Sequence, residues 1–155
     1  MRVISGKFRG RKLAKIHKDC RQSFLRPTSD RVKESLFNIL TNGVLGDVVA
    51  GARVLDLFSG TGALGLEAFS RGANCVTLID NSRVASDVIS KNISLLGRPK
   101  DIMFRQFDAL NLPPNATKRF TLVFADPPYG KGLCPLALYS AKKNAWLDTC
   151  ATILC

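Results

Sequence analysis

Short apolar runs alternating with helical stretches predict an α/β fold, a mostly parallel, doubly wound, Rossmann-like sheet. Three observations carry this. The runs at 53–58, 75–80, 102–107 and 120–125 lack polar alternation, as strands do when helices cover both sheet faces. The first run breaks into Gly60-Thr-Gly-Ala-Leu-Gly65, a glycine-rich turn that opens a helix. The fourth runs straight into Asp126-Pro-Pro-Tyr129, at the carboxyl edge where such sheets bind ligands.

Taken in order, residues 1–16 read as a two-stranded hairpin with Gly6 or Gly10 near the turn. Residues 17–28 read as a polar loop, and Pro27 disfavours helix at Arg26. Thr28 or Ser29 then caps a helix running to about Thr41. Its predicted apolar stripe is Val32, Leu36, Ile39 and Leu40, opposite Arg31, Glu34, Ser35 and Asn38, and Asn42-Gly43 ends it. Strand 53–58 leads to helix 62–71, stopped by Gly72. Strand 75–80 leads to helix 82–96, capped by Asn81 or Ser82 and ended by Gly97. Strand 102–107 precedes a loop with Pro113-Pro114, and strand 120–125 precedes a helix near 132–143. Residues 151–155 read as the start of a further strand, whose exposed edge would invite pairing.

The 155 residues suit one domain with a small appendage, and 46% hydrophobic residues suffice for a core. No run approaches the roughly 18 apolar residues of a membrane span. The N-terminus lacks the apolar core of a secretory signal, so the expected location is cytoplasmic, with no membrane partner. The five cysteines are scattered without a C-x-x-C pair and only His17 could assist, so no metal site and five reduced thiols are expected. The net charge is +11, and residues 1–33 hold 11 Lys/Arg against 2 acids. That basic segment has the electrostatic signature of phosphate-backbone binding. Its interleaved Val3, Ile4, Phe8, Leu13 and Ile16 indicate a segment that folds rather than a solubilising tail.

The G-x-G-x-x-G match is weak alone, because such turns serve many cofactors. Asp80, 20 residues after Gly60 at a strand end, could accept both ribose hydroxyls of an adenosine. NAD and S-adenosylmethionine (SAM) both fit to that point. Asp56, inside the motif, favours SAM, since a carboxylate repels a pyrophosphate and helps hold a cationic methionine end. Its bland alternative is turn capping. Asp108 could accept from an adenine amine or be a plain loop acid. Phe58 and Phe107 could line an adenosine slot or be core. Ser59, Gly60 and Gly62 complete the predicted cofactor set.

The Asp-Pro-Pro-Tyr segment suits a flat group carrying an exocyclic amine. The prolines fix φ and remove two N–H donors. Asp126 and the Pro127 carbonyl would accept from the amine, and Tyr129 would stack on the ring. An aromatic amine is a poor nucleophile, so positioning supplies much of the rate. Asp126 would stabilise the cationic nitrogen and help its proton leave. A base inside folded nucleic acid must first be turned outward.

Three stretches resemble one family: Met1–Leu13, Arg26–Leu40, and the two motifs above. They are similar to the RsmD family, bacterial methyltransferases of small-subunit ribosomal RNA. The resemblance implies SAM-dependent methylation of the N2 amine of a guanine in 16S rRNA. The RNA, or an assembly intermediate of the small subunit, would then be the partner of a monomeric enzyme. It implies that Arg26, Thr28, Arg31 and Lys33 lie near the cleft and the RNA; Arg9, Arg11 and Lys12 join them from the basic segment. The expected division is an RNA-binding extension at 1–42 and a methyltransferase domain at 43–155. Relative to the family pattern, the closing C-terminal strands are expected to be missing. Three alternatives stay open: a DNA adenine-N6 methyltransferase, a non-catalytic RNA- and SAM-binding remnant, and an NAD-dependent oxidoreductase.

Overall fold

The computed structural model describes residues 1–15, 29–97, 99–128 and 132–155. Five parallel strands form one sheet: β1 (Arg53–Leu57), β2 (Cys75–Ile79), β3 (Ile102–Arg105), β4 (Phe120–Ala125) and β5 (Leu147–Leu154). Their spatial order is β3-β2-β1-β4-β5. The α-helices are α1 (Asp30–Asn42), α2 (Ala63–Ser70), α3 (Arg83–Leu95) and α4 (Leu133–Lys143).

Alternate strand residues feed two apolar layers, one on each sheet face. Val54, Val76, Leu78, Leu122 and Phe124 join Phe37, Leu66 and Ile89 on one side. Leu55, Leu57, Ile79, Val123 and Ala125 join Ala137, Ala141 and Trp146 on the other. This double burial is why the strands read as unbroken apolar runs. The chain runs outward from β1 through β2 to β3, then returns to place β4 on the other flank of β1. The switch point of the sheet is therefore the crevice between the carboxyl ends of β1 and β4.

Residues 1–15 form a tight hairpin rather than two extended strands. Val3 donates to the Arg11 carbonyl (2.9 Å) and Gly10 to the Val3 carbonyl (2.9 Å), around a single antiparallel bridge between Arg2 and Lys12. The hairpin is docked, with Val3 and Leu13 in the same apolar layer as α1, α2 and α3. Buried Glu67 of α2 accepts from the backbone amides of Ile4 (2.7 Å) and Ser5 (3.0 Å). Gly6 is required by close approach: a Cβ there would collide with the Ser70 carbonyl.

Several expectations need correction. Ser29 caps α1 by accepting from Val32 N–H (3.2 Å), as expected, but the buried face is Lys33, Phe37 and Leu40. Val32 and Ile39 point to solvent, at 55% and 69% exposure. Leu40 is buried and Leu36 packs partly against the core, as expected; Val32 and Ile39 do not, because Lys33 and Phe37 take the inward positions. Gly43 follows α1 with φ −77°, not left-handed; its small size matters because a Cβ would meet the Ile39 carbonyl. The final strand starts at Leu147, four residues earlier than expected. Asp148, Thr149 and Cys150 hide it from an apolar-run reading, as befits a half-exposed edge strand. Cys134 and Cys155, expected as free thiols, lie side by side, with their Cα atoms 6.4 Å apart. Among the described residues, no helix is long and apolar enough to cross a membrane.

Candidate active site

The site is built by three strand ends in one register layer. Leu57 of β1 pairs with Ile79 of β2 and with Ala125 of β4. The next residues, Phe58, Asp80 and Asp126, therefore leave the sheet side by side. The glycine turn and the Asp-Pro-Pro corner share one crevice for this reason.

The turn is held from within. Phe58 adopts φ +58°, a left-handed conformation uncommon for a bulky residue, at the point where strand becomes turn. Ser59 ties the turn to β2, its amide (2.9 Å) and hydroxyl (3.1 Å) both donating to the Ile79 carbonyl. Gly60 (φ +56°) donates to Asp80 Oδ2 at 2.8 Å, and Gly62 (φ +77°) donates to the Ser59 carbonyl at 2.7 Å. Asp80 also accepts from Ser82 N–H through Oδ1 (2.9 Å), so it clasps the turn and the start of α3 together. Each of its oxygens keeps a further lone pair for a ligand hydroxyl.

Asp56 is buried and accepts from Gly65 N–H at 2.9 Å, which is the capping alternative for this residue. Burial pushes its pKa up to about 7; the Gly65 hydrogen bond opposes this, and the charges of Asp126 and Asp80 add to it. Asp126, exposed beyond Ala125, is itself raised above the ordinary carboxyl value by partial desolvation. Asp80 and Asp126 thus border one crevice, with Asp56 buried behind them and its charge suppressed by burial; the two bordering acids repel anions and favour a cationic guest.

That electrostatic field decides which cofactor the turn suits. A dinucleotide needs free backbone N–H groups beside its pyrophosphate. Here the amides of Ser59, Gly60, Gly62 and Gly65 are spent on the protein, two of them on carboxylates. The residues present fit SAM, which has no phosphate and carries cationic groups.

The remaining predicted residues fall as follows. Strand β3 ends at Arg105, and Asp108 caps a short 3-10 turn, Ala109–Asn111, by accepting from Leu110 N–H (2.9 Å). Phe58 and Phe107 both pack, half-buried, against the β1–β4 apolar layer that includes Leu57 and Ala125. Pro127 is partly buried, whereas Tyr129, Arg26 and Thr28 lie outside the described residues. Arg9, Arg11, Lys12 and Arg31 are exposed. Lys12 also lines a cleft of about 320 Å³ with Met1, Arg2, Leu13, Lys15 and Asp30. Lys33 does not belong with them. It is fully buried, donates to the Arg2 carbonyl, and lies 3.8 Å from Glu67 and 3.9 Å from Asp30. Its ammonium is committed to the fold and unavailable to a phosphate. Sequence reading also passed over Glu67 and Asn92, two buried polar residues that bind the hairpin to the helices. The signal was present, since each occupies an inward position of an otherwise apolar helix face.

A doubly wound sheet with this turn and this corner at its switch point defines a Rossmann-like methyltransferase. Comparison with known proteins narrows the class. The family model described as conserved hypothetical protein 95 matches residues 1–155, and the chain belongs to that family, the RsmD family of methyltransferases. It is 37% identical over 147 residues to Ribosomal RNA small subunit methyltransferase D of Escherichia coli K12, covering 95% of this chain and 69% of that one. The protein of the same name from Haemophilus influenzae is 36% identical over 157 residues, covering 99% and 76%. The solved structure of yhhF from Escherichia coli superposes with a TM-score of 0.79 at 34% identity, covering 99% and 78%.

Proposed function

We propose that the protein transfers a methyl group from SAM to the exocyclic N2 amine of a guanine in 16S ribosomal RNA. The observation that carries this reading is the shared register layer of the glycine turn, Asp80 and Asp126, which border one crevice. Asp80 and the turn Ser59–Gly62 would hold the adenosine portion, and the acidic crevice would favour the cationic methionine portion. When bound, SAM supplies an electrophilic methyl on a sulfonium. Asp126 and the Pro127 carbonyl accept from the guanine amine and orient its lone pair. As the nitrogen becomes positive, Asp126 stabilises it, then takes its proton toward solvent. Its pKa, raised by partial desolvation, suits the role, because the carboxylate accepts a proton more readily than an unperturbed aspartate does. Exposed Arg9, Arg11, Lys12 and Arg31 would meet RNA phosphates, and the enzyme would work in the cytoplasm on ribosomal RNA or assembling subunits.

Calorimetric titration tests the cofactor assignment. SAM is expected to bind the wild-type chain and NAD to stay silent; tight NAD binding with no SAM binding would contradict the reading. Asp80→Ala is expected to weaken SAM binding at least about tenfold, the loss of one or two hydrogen bonds to a charged acceptor.

A further inference from the structure

Asn92 sits on the inward face of α3 beside Ala85 and Ile89 and is fully buried. Every hydrogen-bonding group of its amide is used. Oδ1 accepts from Ala14 N–H at 2.7 Å, and Nδ2 donates to the Ala14 carbonyl at 3.3 Å and to the Thr61 carbonyl at 2.9 Å. Ala14 lies at the end of the docked hairpin, next to exposed Lys15 and two residues beyond Lys12. Thr61 lies between Gly60 and Gly62, at the tip of the glycine turn. A second contact joins the same two segments, from Thr61 Oγ1 to Met1 Sδ at 3.4 Å. A planar amide with its donors divided between two backbones fixes the position of one against the other. An apolar residue would fill the space and hold neither.

We propose that Asn92 is a positioning residue that registers the basic segment against the cofactor turn, so that RNA bound on one side strengthens SAM binding on the other. This rests on the function proposed above. An amide that only stabilised the fold would leave the two ligands independent.

The test is a SAM titration into the full chain, alone and saturated with protein-free 16S rRNA transcript. In the wild type, RNA is expected to tighten SAM by about fivefold or more, the lower range of linked sites. Asn92→Leu keeps the volume and removes all three bonds. In that variant the factor is expected to fall to about 1, while each ligand's own Kd stays within about threefold. Where the variant fails to fold, the wild type decides alone through hydrogen exchange. RNA without SAM must then slow exchange at residues 13–15 and at 60–62 together. An unchanged factor in Asn92→Leu, or protection confined to 13–15, overturns the inference and leaves the proposed function standing. A wild type that binds no SAM overturns both.

Discussion

Asp126 is the residue on which the proposed chemistry turns. It leaves β4 at the level where Phe58 leaves β1, and partial desolvation raises its pKa. Asp126→Ala is expected to lower methyl transfer at least about 100-fold, within the range of a lost general base. The SAM Kd should rise only slightly, since one crevice acid is lost while Asp80 and the turn remain; a loss of SAM binding matching the loss of transfer would place Asp126 in the cofactor site instead. Asp56 makes a separate prediction. Its pKa rises from 3.8 to about 7 on folding, so the folded chain holds this proton more tightly than the unfolded chain does. Its contribution to stability is therefore greatest below about pH 4 and declines as pH rises toward 7. Asp56→Asn keeps an acceptor for Gly65 N–H and removes the titration. Thermal melts across pH 4–7 should show a flatter profile in Asp56→Asn than in wild type, and parallel profiles would refute the assignment. Both acids were legible in the sequence because each follows or interrupts an apolar strand. The capping bond of Asp56 to Gly65 was legible only as an alternative, since nothing in the sequence settles whether an acid faces inward or toward a ligand.

At the scale of elements, α1 and the hairpin form one docked unit. Glu67 gathers the amides of Ile4 and Ser5, the Arg71 guanidinium (2.8 Å) and the Lys33 ammonium (3.8 Å). Glu67→Ala would strand the buried lysine and two amides and is expected to cost about 3–5 kcal/mol in urea unfolding. A loss under about 1 kcal/mol would show the network to be incidental. The same network separates the buried structural lysine from the exposed cations proposed to meet RNA. Lys12→Ala is expected to reduce the salt dependence of RNA binding by about one phosphate contact, with stability nearly unchanged. Lys33→Met should do the reverse, losing stability with the salt slope intact. Helix α1 shows why the sequence misled on this point. Lys33, Phe37 and Leu40 share a face by spacing, yet a lysine is among the last residues assigned to a core. Apolar content alone therefore turned the helix toward Val32 and Ile39, which the structure leaves exposed.

For the whole molecule, strand–helix alternation was enough to foresee a parallel doubly wound sheet, because burial on both faces writes continuous apolar runs. The two motifs required the first and fourth strands to be neighbours, and they are; the rest of the strand order was not visible, and neither was the docking of the hairpin through Glu67, Ser70 and Asn92. Those depend on polar groups that meet across 60 or more residues of chain and leave no local pattern. The order β3-β2-β1-β4-β5 brings the glycine turn and the Asp-Pro-Pro corner to one crevice, and the proposed reaction depends on that adjacency. Its most direct test is incubation of the wild-type chain with methyl-labelled SAM and small ribosomal subunits or their RNA, followed by digestion to nucleosides. The expected product is labelled N2-methylguanosine, absent with Asp126→Ala. Label appearing only in adenine of a DNA duplex, or no label from a chain that binds both SAM and RNA, would contradict it.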